Sequence, residues 1–160
     1  MDKVPITRPG FEKLKKDLDH IRRVDVPENI RDIEEARAHG DISENAEYEA
    51  AKDRQAFLQA KIQEIENKLA TSMIIDPNDL TDERVVFGAT VTMEDMIKEE
   101  TVEYLLVGPF ESDIERNRIS VTSPIGKALI GKEVGEEVSV KTPGGLRRFE
   151  IVDICIKPHD

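Results

Sequence analysis

The residues most able to do chemistry lie in one short stretch, "HGDISENAEYEA" at positions 39–50, where Asp41, Glu44, Glu47 and Glu49 gather beside a single glycine. Asp41 and Glu44 are three residues apart, a spacing that can put two carboxylates on one side of a starting helix. Two hard oxygen donors suit Mg²⁺, but an octahedral ion needs more than two, so such a pair works best by completing a site in another macromolecule. An ion held there would lower the pKa of a bound water for attack on a phosphodiester. The same residues also make good turn chemistry. Gly40 can end one helix in the left-handed conformation, with His39 at the negative end of its dipole. Asp41 and Glu44 spell D-x-x-E, a variant of the capping box at the start of the next. From residue types alone both roles stay open, and Glu47 and Glu49 read as ordinary helix-surface charges.

Other constellations are thin. His20, His39 and His159 are scattered without ligand spacing, and no serine sits in a G-x-S-x-G elbow. "GGLRRFE" is neither a Walker nor a dinucleotide loop and reads as a hairpin turn. Arg31, Arg37, Lys52 and Arg54 fall near the acidic turn and could meet a phosphate backbone or simply balance acids along the helices. No aromatic residues interleave them for base stacking.

The elements that must position the turn are two long helices. Phe11, Leu14, Leu18 and Ile21, then Ile30 and Ile33, step at three and four; Thr7 is the expected N-cap and Pro9 falls in the first turn. Pro27 interrupts this stripe, which does not resume in register, and predicts a kink or a break. Ala51, Gln55, Leu58, Ile62, Ile65 and Leu69 form the second stripe. The pair predicts an antiparallel coiled-coil hairpin over residues 1–75 with its acidic tip at 39–45, each arm about 45 Å long and too narrow in apolar width to sit inside a globule.

After "DPNDLTDE", a linker at 76–83, the period changes to two. "RVVFGATVTM", "TVEYLLVG", "RISVTS", "EEVSVKT" and "RRFEIVDICI" predict short strands, and "SPIGKALIGK" predicts a helix capped by Ser123, with Pro124 in its first position and Gly131 at its close. Residues 84–160 thus read as a small antiparallel sheet on one helix, and the whole chain as α+β.

Charge limits the partners. The net charge is −11; residues 1–75 carry 13 basic and 16 acidic side chains, residues 76–160 carry 10 and 18. Coating of bare nucleic acid is excluded, and the near-neutral half is the one able to approach a polyanion. Cys155 is the only cysteine, so no intrachain disulfide or cysteine zinc site can form; among alternating apolar neighbours it reads as a buried, inert thiol. No segment has the apolar length of a signal peptide or a membrane span, so no membrane partner and a cytoplasmic location are expected. With the two stripes paired, no broad apolar face is left over, and a monomer is the expectation.

Four stretches in order, "EARAHGDISENAEYEAAK", "VFGATV", "ISVTSPIGKALIGK" and "VKTPGG", resemble the GreA branch of the bacterial transcript cleavage factors, the Gre family. The resemblance runs along nearly the whole chain. It implies an N-terminal coiled coil and a C-terminal domain related in fold to FKBP-type prolyl isomerases. It implies docking of that domain on the rim of RNA polymerase and entry of the coil into the secondary channel. There Asp41 and Glu44 would help hold a Mg²⁺ supplied within the polymerase active site, at the 3′ end of backtracked nascent RNA. The polymerase, not the factor, would cut. Arg37 and Lys52 match the RNA-proximal basic positions, Lys52 standing where relatives often carry Arg, and Thr122, Ser123 and Pro124 match the docking region. Ile42 replaces a commoner Leu, and the second arm lacks a dense Arg run, which implies the GreA type and short cleavage fragments. Two alternatives belong to other classes: a channel-binding inhibitor without cleavage, and a prolyl isomerase, which the paucity of aromatics after residue 80 disfavours.

Overall fold

The computed structural model describes residues 3–39, 45–76 and 83–156. The chain divides into two compact units, residues 12–71 and residues 1–11 with 72–160. The expected hairpin limit at residue 75 differs from the end of the first unit at Thr71, because Ser72–Ile74 is a strand.

Helix α1 spans Arg8–His20 and α2 spans Val26–Ala38, joined by a π turn at Ile21–Asp25. Thr7 caps α1 as expected, its Oγ1 accepting from Gly10 N at 3.1 Å. Pro27 neither breaks nor ends the helix. His20, Asp25 and Val26 keep right-handed helical dihedrals, and the Val26 N–H donates to the Ile21 carbonyl, five residues back. That wider turn supplies room for a ring that would otherwise strike the carbonyl four residues earlier. It also inserts one residue into the stripe. The seam therefore runs Leu14, Leu18, Ile21, then Val26, Asn29, Ile33 and Ala36. Ile30, expected in it, is 47% exposed.

Helix α3, Ala46–Thr71, presents the expected stripe: Ala51, Leu58 and Ile65 are buried, and Gln55, Ile62 and Leu69 half-buried. Leu18, Ile21, Leu58 and Ile65 form the seam's centre, with Leu14, Val26, Ile62 and Leu69 against them. Arg22–Glu66 at 2.8 Å and Arg54–Asp25 at 3.9 Å bridge the arms at the surface. Asn29 is buried and donates from Nδ2 to the Ala51 carbonyl at 2.9 Å.

In the other unit, β1 (Val4–Ile6) pairs in parallel with β2 (Ser72–Ile74). A five-stranded sheet is built from β3 (Thr90–Asp95), β4 (Glu100–Val107), β5 (Arg118–Ser120), β6 (Glu137–Thr142) and β7 (Gly145–Cys155), in the order β5-β4-β3-β7-β6. All five fall on the expected runs. The pairings are antiparallel except at one edge, where β5 lies parallel to β4, reached through two single 3₁₀ turns at Pro109–Glu111 and Ile114–Arg116 rather than a hairpin. Helix α4 (Pro124–Leu129) covers the sheet through Leu129, and Gly131 follows it at φ +84°. Phe149, Leu106, Met93, Ile151, Val91 and Val85 are almost fully buried in this core. Cys155 is a free, half-buried thiol.

Candidate functional site

Residues 40–44 lie outside the described residues, and with them Asp41 and Glu44. What holds their two ends is described. Asn45, and not Asp41, is the N-cap of α3: its Oδ1 accepts from Tyr48 N at 3.1 Å, the third amide of the helix. Its Nδ2 donates to the Ala36 carbonyl at 2.5 Å, which also accepts the His39 N–H at 3.2 Å at the C-terminus of α2. "DISENAEY" offers two overlapping capping frames, D-x-x-E and N-x-x-Y. A carboxylate can only accept; an amide accepts and donates at once, and only the second frame serves both helix ends. His39 follows α2 as its C-cap, its exposed Nδ1 3.7 Å from Glu47 Oε2, a contact that is an ion pair only with the imidazole protonated.

The two basic residues predicted near RNA sit differently. Arg37, in the last turn of α2, lies over the Tyr48 ring at 5.9 Å, an exposed cation–π contact that keeps the guanidinium at the turn. Lys52 is seven residues from Asn45 along α3, about 10 Å of helix rise, and its Nζ donates to Gln55 Oε1 at 2.7 Å. Both are exposed. Among the described residues no group of three or more His, Cys, Asp or Glu could hold a metal ion.

The predicted docking residues form one rigid corner. Ser123 Oγ accepts from Gly126 N at 3.1 Å and donates to the Ser120 carbonyl at 2.7 Å, while Thr122 Oγ1 and Ser120 Oγ are 2.7 Å apart. Pro124 takes the first helical position of α4. Gly126 lies so close to β5 that a Cβ there would stand 2.1 Å from the Ser120 carbonyl oxygen. Beside this corner opens a groove of about 310 Å³, lined by Ser123, Pro124 and Ile125 and, across it, by Tyr104, Ile114 and Arg147. Tyr104 is the one aromatic side chain in its lining, unlike the aromatic-rich pocket a prolyl isomerase needs.

Two anchors were not foreseen from the sequence. Asp95, 1% exposed, accepts from the Ile97 and Lys98 amides at 3.0 Å each and from Arg147 Nη2 at 3.1 Å. The Lys98 amide bond above all, with Arg147 and Ile97 after it, holds the carboxyl below its usual range against the opposing effect of burial. Arg147 in turn lies over the Phe149 ring at 4.7 Å and lines the groove. The second is Glu111, whose carboxylate reaches the first turn of α1 across 104 residues of sequence.

The comparisons agree along the chain. Residues 4–74 match the model of the N-terminal domain of GreA/GreB transcription elongation factors, and residues 80–155 match that of the C-terminal domain. The transcription elongation factor GreA of Syntrophus aciditrophicus is 61% identical over 160 residues, covering 100% of this chain and 99% of that protein. GreA of Syntrophobacter fumaroxidans is 52% identical, covering 96% and 99%. A crystal structure of the GreA factor homolog Gfh1 of Thermus thermophilus is 31% identical over 96% of this chain and 99% of its own, with a TM-score of 0.43; at that score the superposition adds nothing to the assignment. With both domain models matched and whole-length identity above one half, the chain belongs to the GreA/GreB family of transcription elongation factors.

Proposed function

We propose that this chain binds RNA polymerase, inserts its coiled-coil tip into the secondary channel and stimulates the polymerase's own Mg²⁺-dependent cleavage of backtracked RNA. The sheet domain would dock on the rim through Thr122, Ser123 and Pro124, whose hydroxyl network fixes their shape before any partner arrives. The observation that carries the reading is Asn45. Among the described residues it caps α3 and also bonds the Ala36 carbonyl at the end of α2, and an amide in that role leaves a metal role open to Asp41 and Glu44.

Their donor set fits Mg²⁺ in kind and falls short of it in number, which is the expectation for an ion held mainly by the polymerase. Such an ion, when bound, supplies Lewis-acid activation of water. The chain's own part is to bring two negative charges to that ion and to set Arg37 and Lys52 against RNA phosphates at the same end of the hairpin. Fragment choice would follow the short-product, GreA type. The protein works as a monomer in the cytoplasm on this reading, and is not itself a nuclease.

The test is the double variant Asp41→Asn with Glu44→Gln on a stalled, backtracked elongation complex. Helicity should match the unmodified chain, because Asn45 keeps both caps, and stimulated cleavage should fall about 100-fold or more. Full cleavage by the variant would remove the carboxylates from the reaction. Inhibition by the unmodified chain without cleavage would instead make it a channel-blocking member of the family, and cutting of RNA without polymerase would refute the borrowed site.

A further inference from the structure

Tyr48 is the third residue of α3 and half-buried, and Arg37 stands exposed in the last turn of α2. One asparagine holds the backbone beneath both. Asn45 Oδ1 accepts from Tyr48 N at 3.1 Å, and its Nδ2 reaches the carbonyl of Ala36, the residue before Arg37. The guanidinium carbon of Arg37 lies 5.9 Å from the centre of the Tyr48 ring. Among the described residues that ring is its one partner, with no carboxylate paired to it and no side-chain hydrogen bond made by it.

Other arginines of the same arms are held differently. Arg22, Arg23 and Arg54 stand 2.8, 2.9 and 3.9 Å from the carboxylates of Glu66, Asp19 and Asp25. Such a pair offsets the charge and occupies guanidinium N–H groups. A ring does neither. Cation–π attraction acts through the ring face, so an arginine held there keeps its charge, and its five donors stay open to another acceptor. It also gives up beforehand some of the rotamer freedom that capture of a ligand would remove. Lys52 is treated alike, since its described partner is the neutral Gln55 amide at 2.7 Å. A guanidinium restrained without being neutralised suits an anion with several acceptor oxygens, and an RNA phosphate is such a group.

We propose that Tyr48 is a positioning residue: its ring holds the Arg37 guanidinium, charged and with its donors free, for a phosphate of the RNA. Which anion arrives rests on the functional reading above; the hold of the ring on Arg37 does not. Substitution separates the ring from its hydroxyl. Tyr48→Phe keeps the face beneath Arg37, and Tyr48→Leu removes it while leaving a good helix former in α3. In the full, isotope-labelled chain, the Arg37 side-chain protons should resonate upfield, shielded by the ring, in the unmodified protein and in Tyr48→Phe. In Tyr48→Leu they should move to the positions of a solvated arginine. Solvated positions in the unmodified chain, or no movement in the leucine variant, overturn the proposal. Should the leucine variant fail to fold, Tyr48→Met takes its place.

On a stalled, backtracked complex at saturating factor, Tyr48→Leu should lower the cleavage rate about 2- to 5-fold, the worth of an exposed cation–π contact. Tyr48→Phe should leave the rate unchanged, and all three proteins should half-saturate at the same concentration. In an Arg37→Ala background the leucine should cost nothing further, because the ring then has nothing to hold. Equal losses in both backgrounds would mark a merely structural side chain, and a phenylalanine variant as slow as the leucine would assign the effect to the hydroxyl. Either result overturns the proposal, as does an unchanged rate in the leucine variant or a shift in half-saturation alone. Should Arg37→Ala leave too little rate to compare, the contrast between phenylalanine and leucine decides. If the unmodified chain stimulates no cleavage, the functional reading fails, and the spectra still decide whether Tyr48 holds Arg37.

Discussion

Asn29, 2% exposed, donates from Nδ2 to the Ala51 carbonyl at 2.9 Å, joining the two arms inside their otherwise apolar seam. The Ala51 carbonyl lies within α3, whose own ladder already uses it, so the bond serves the asparagine more than the carbonyl. A polar side chain at such a position specifies register at a cost in stability. Asn29→Ala should lower unfolding stability by about 1–2 kcal/mol through the lost bond and packing. Asn29→Leu should recover most of it, since no buried donor is then left to satisfy. Chemical denaturation of the three proteins checks the order, and a leucine variant weaker than the alanine would contradict it.

Asn45 should be the most sensitive side chain at the described margin of the acidic turn. Asn45→Ala removes an N-cap and a second helix's C-terminal partner together, at about 1–2 kcal/mol. Asn45→Asp keeps the acceptor for Tyr48 N but cannot donate to the Ala36 carbonyl, so it should fall between the two. Thermal unfolding would show whether the aspartate rescues half or all of the loss; full rescue would deny the Ala36 bond any weight.

Asp95 makes stability depend on acid. Its folded-state carboxyl titrates below its unfolded value, chiefly through the Lys98 amide. The ionised form therefore stabilises fully above about pH 4, and the contribution disappears as the pH falls through the lower, folded value. Asp95→Asn should cost about 2 kcal/mol at pH 7, where a charge-assisted bond to Arg147 is lost. The gap between variant and parent should close towards pH 3. Denaturation midpoints at both pH values test it, and a gap equal at pH 3 and pH 7 would show that the charge is not what matters.

Ser123 joins stability to docking. Ser123→Ala should cost about 1 kcal/mol as a lost N-cap, and because the same hydroxyl holds the Ser120 carbonyl, the corner it shapes should loosen. Binding to polymerase, measured by competition with the unmodified chain, should weaken. Ser123→Asp restores the acceptor but not the donor, so it should recover the helix and leave binding weak.

How much of this was readable in advance depended on the reach of each interaction. The α3 stripe and all five strands of the sheet followed from periodicity, because a helix or a strand edge states its period within a few residues. The pairing of Val4–Ile6 with Ser72–Ile74 did not, since three residues are too few to show alternation and the partners lie 68 apart. Asp41 is the cap that the local D-x-x-E frame names, and Asn45 was passed over, because its bond to Ala36 on another helix is one that no local rule reports. Asp95 with Arg147, and Glu111 with Thr7, are pairs of common residues that only the fold brings together. Pro27 was readable as a disturbance and not as its remedy.

That remedy makes the segment Ile21–Asp25 intolerant of length change. Deleting one residue there would remove the wide turn and drive the Pro27 ring against the carbonyl four residues before it. It would also turn everything beyond it by about 100°. Val26, Asn29, Ile33 and Ala36 would swing away from α3, and their charged neighbours would swing in. Single-residue indels in this arm should therefore be strongly destabilising, and an insertion should survive only when a compensating deletion lies before Asn29.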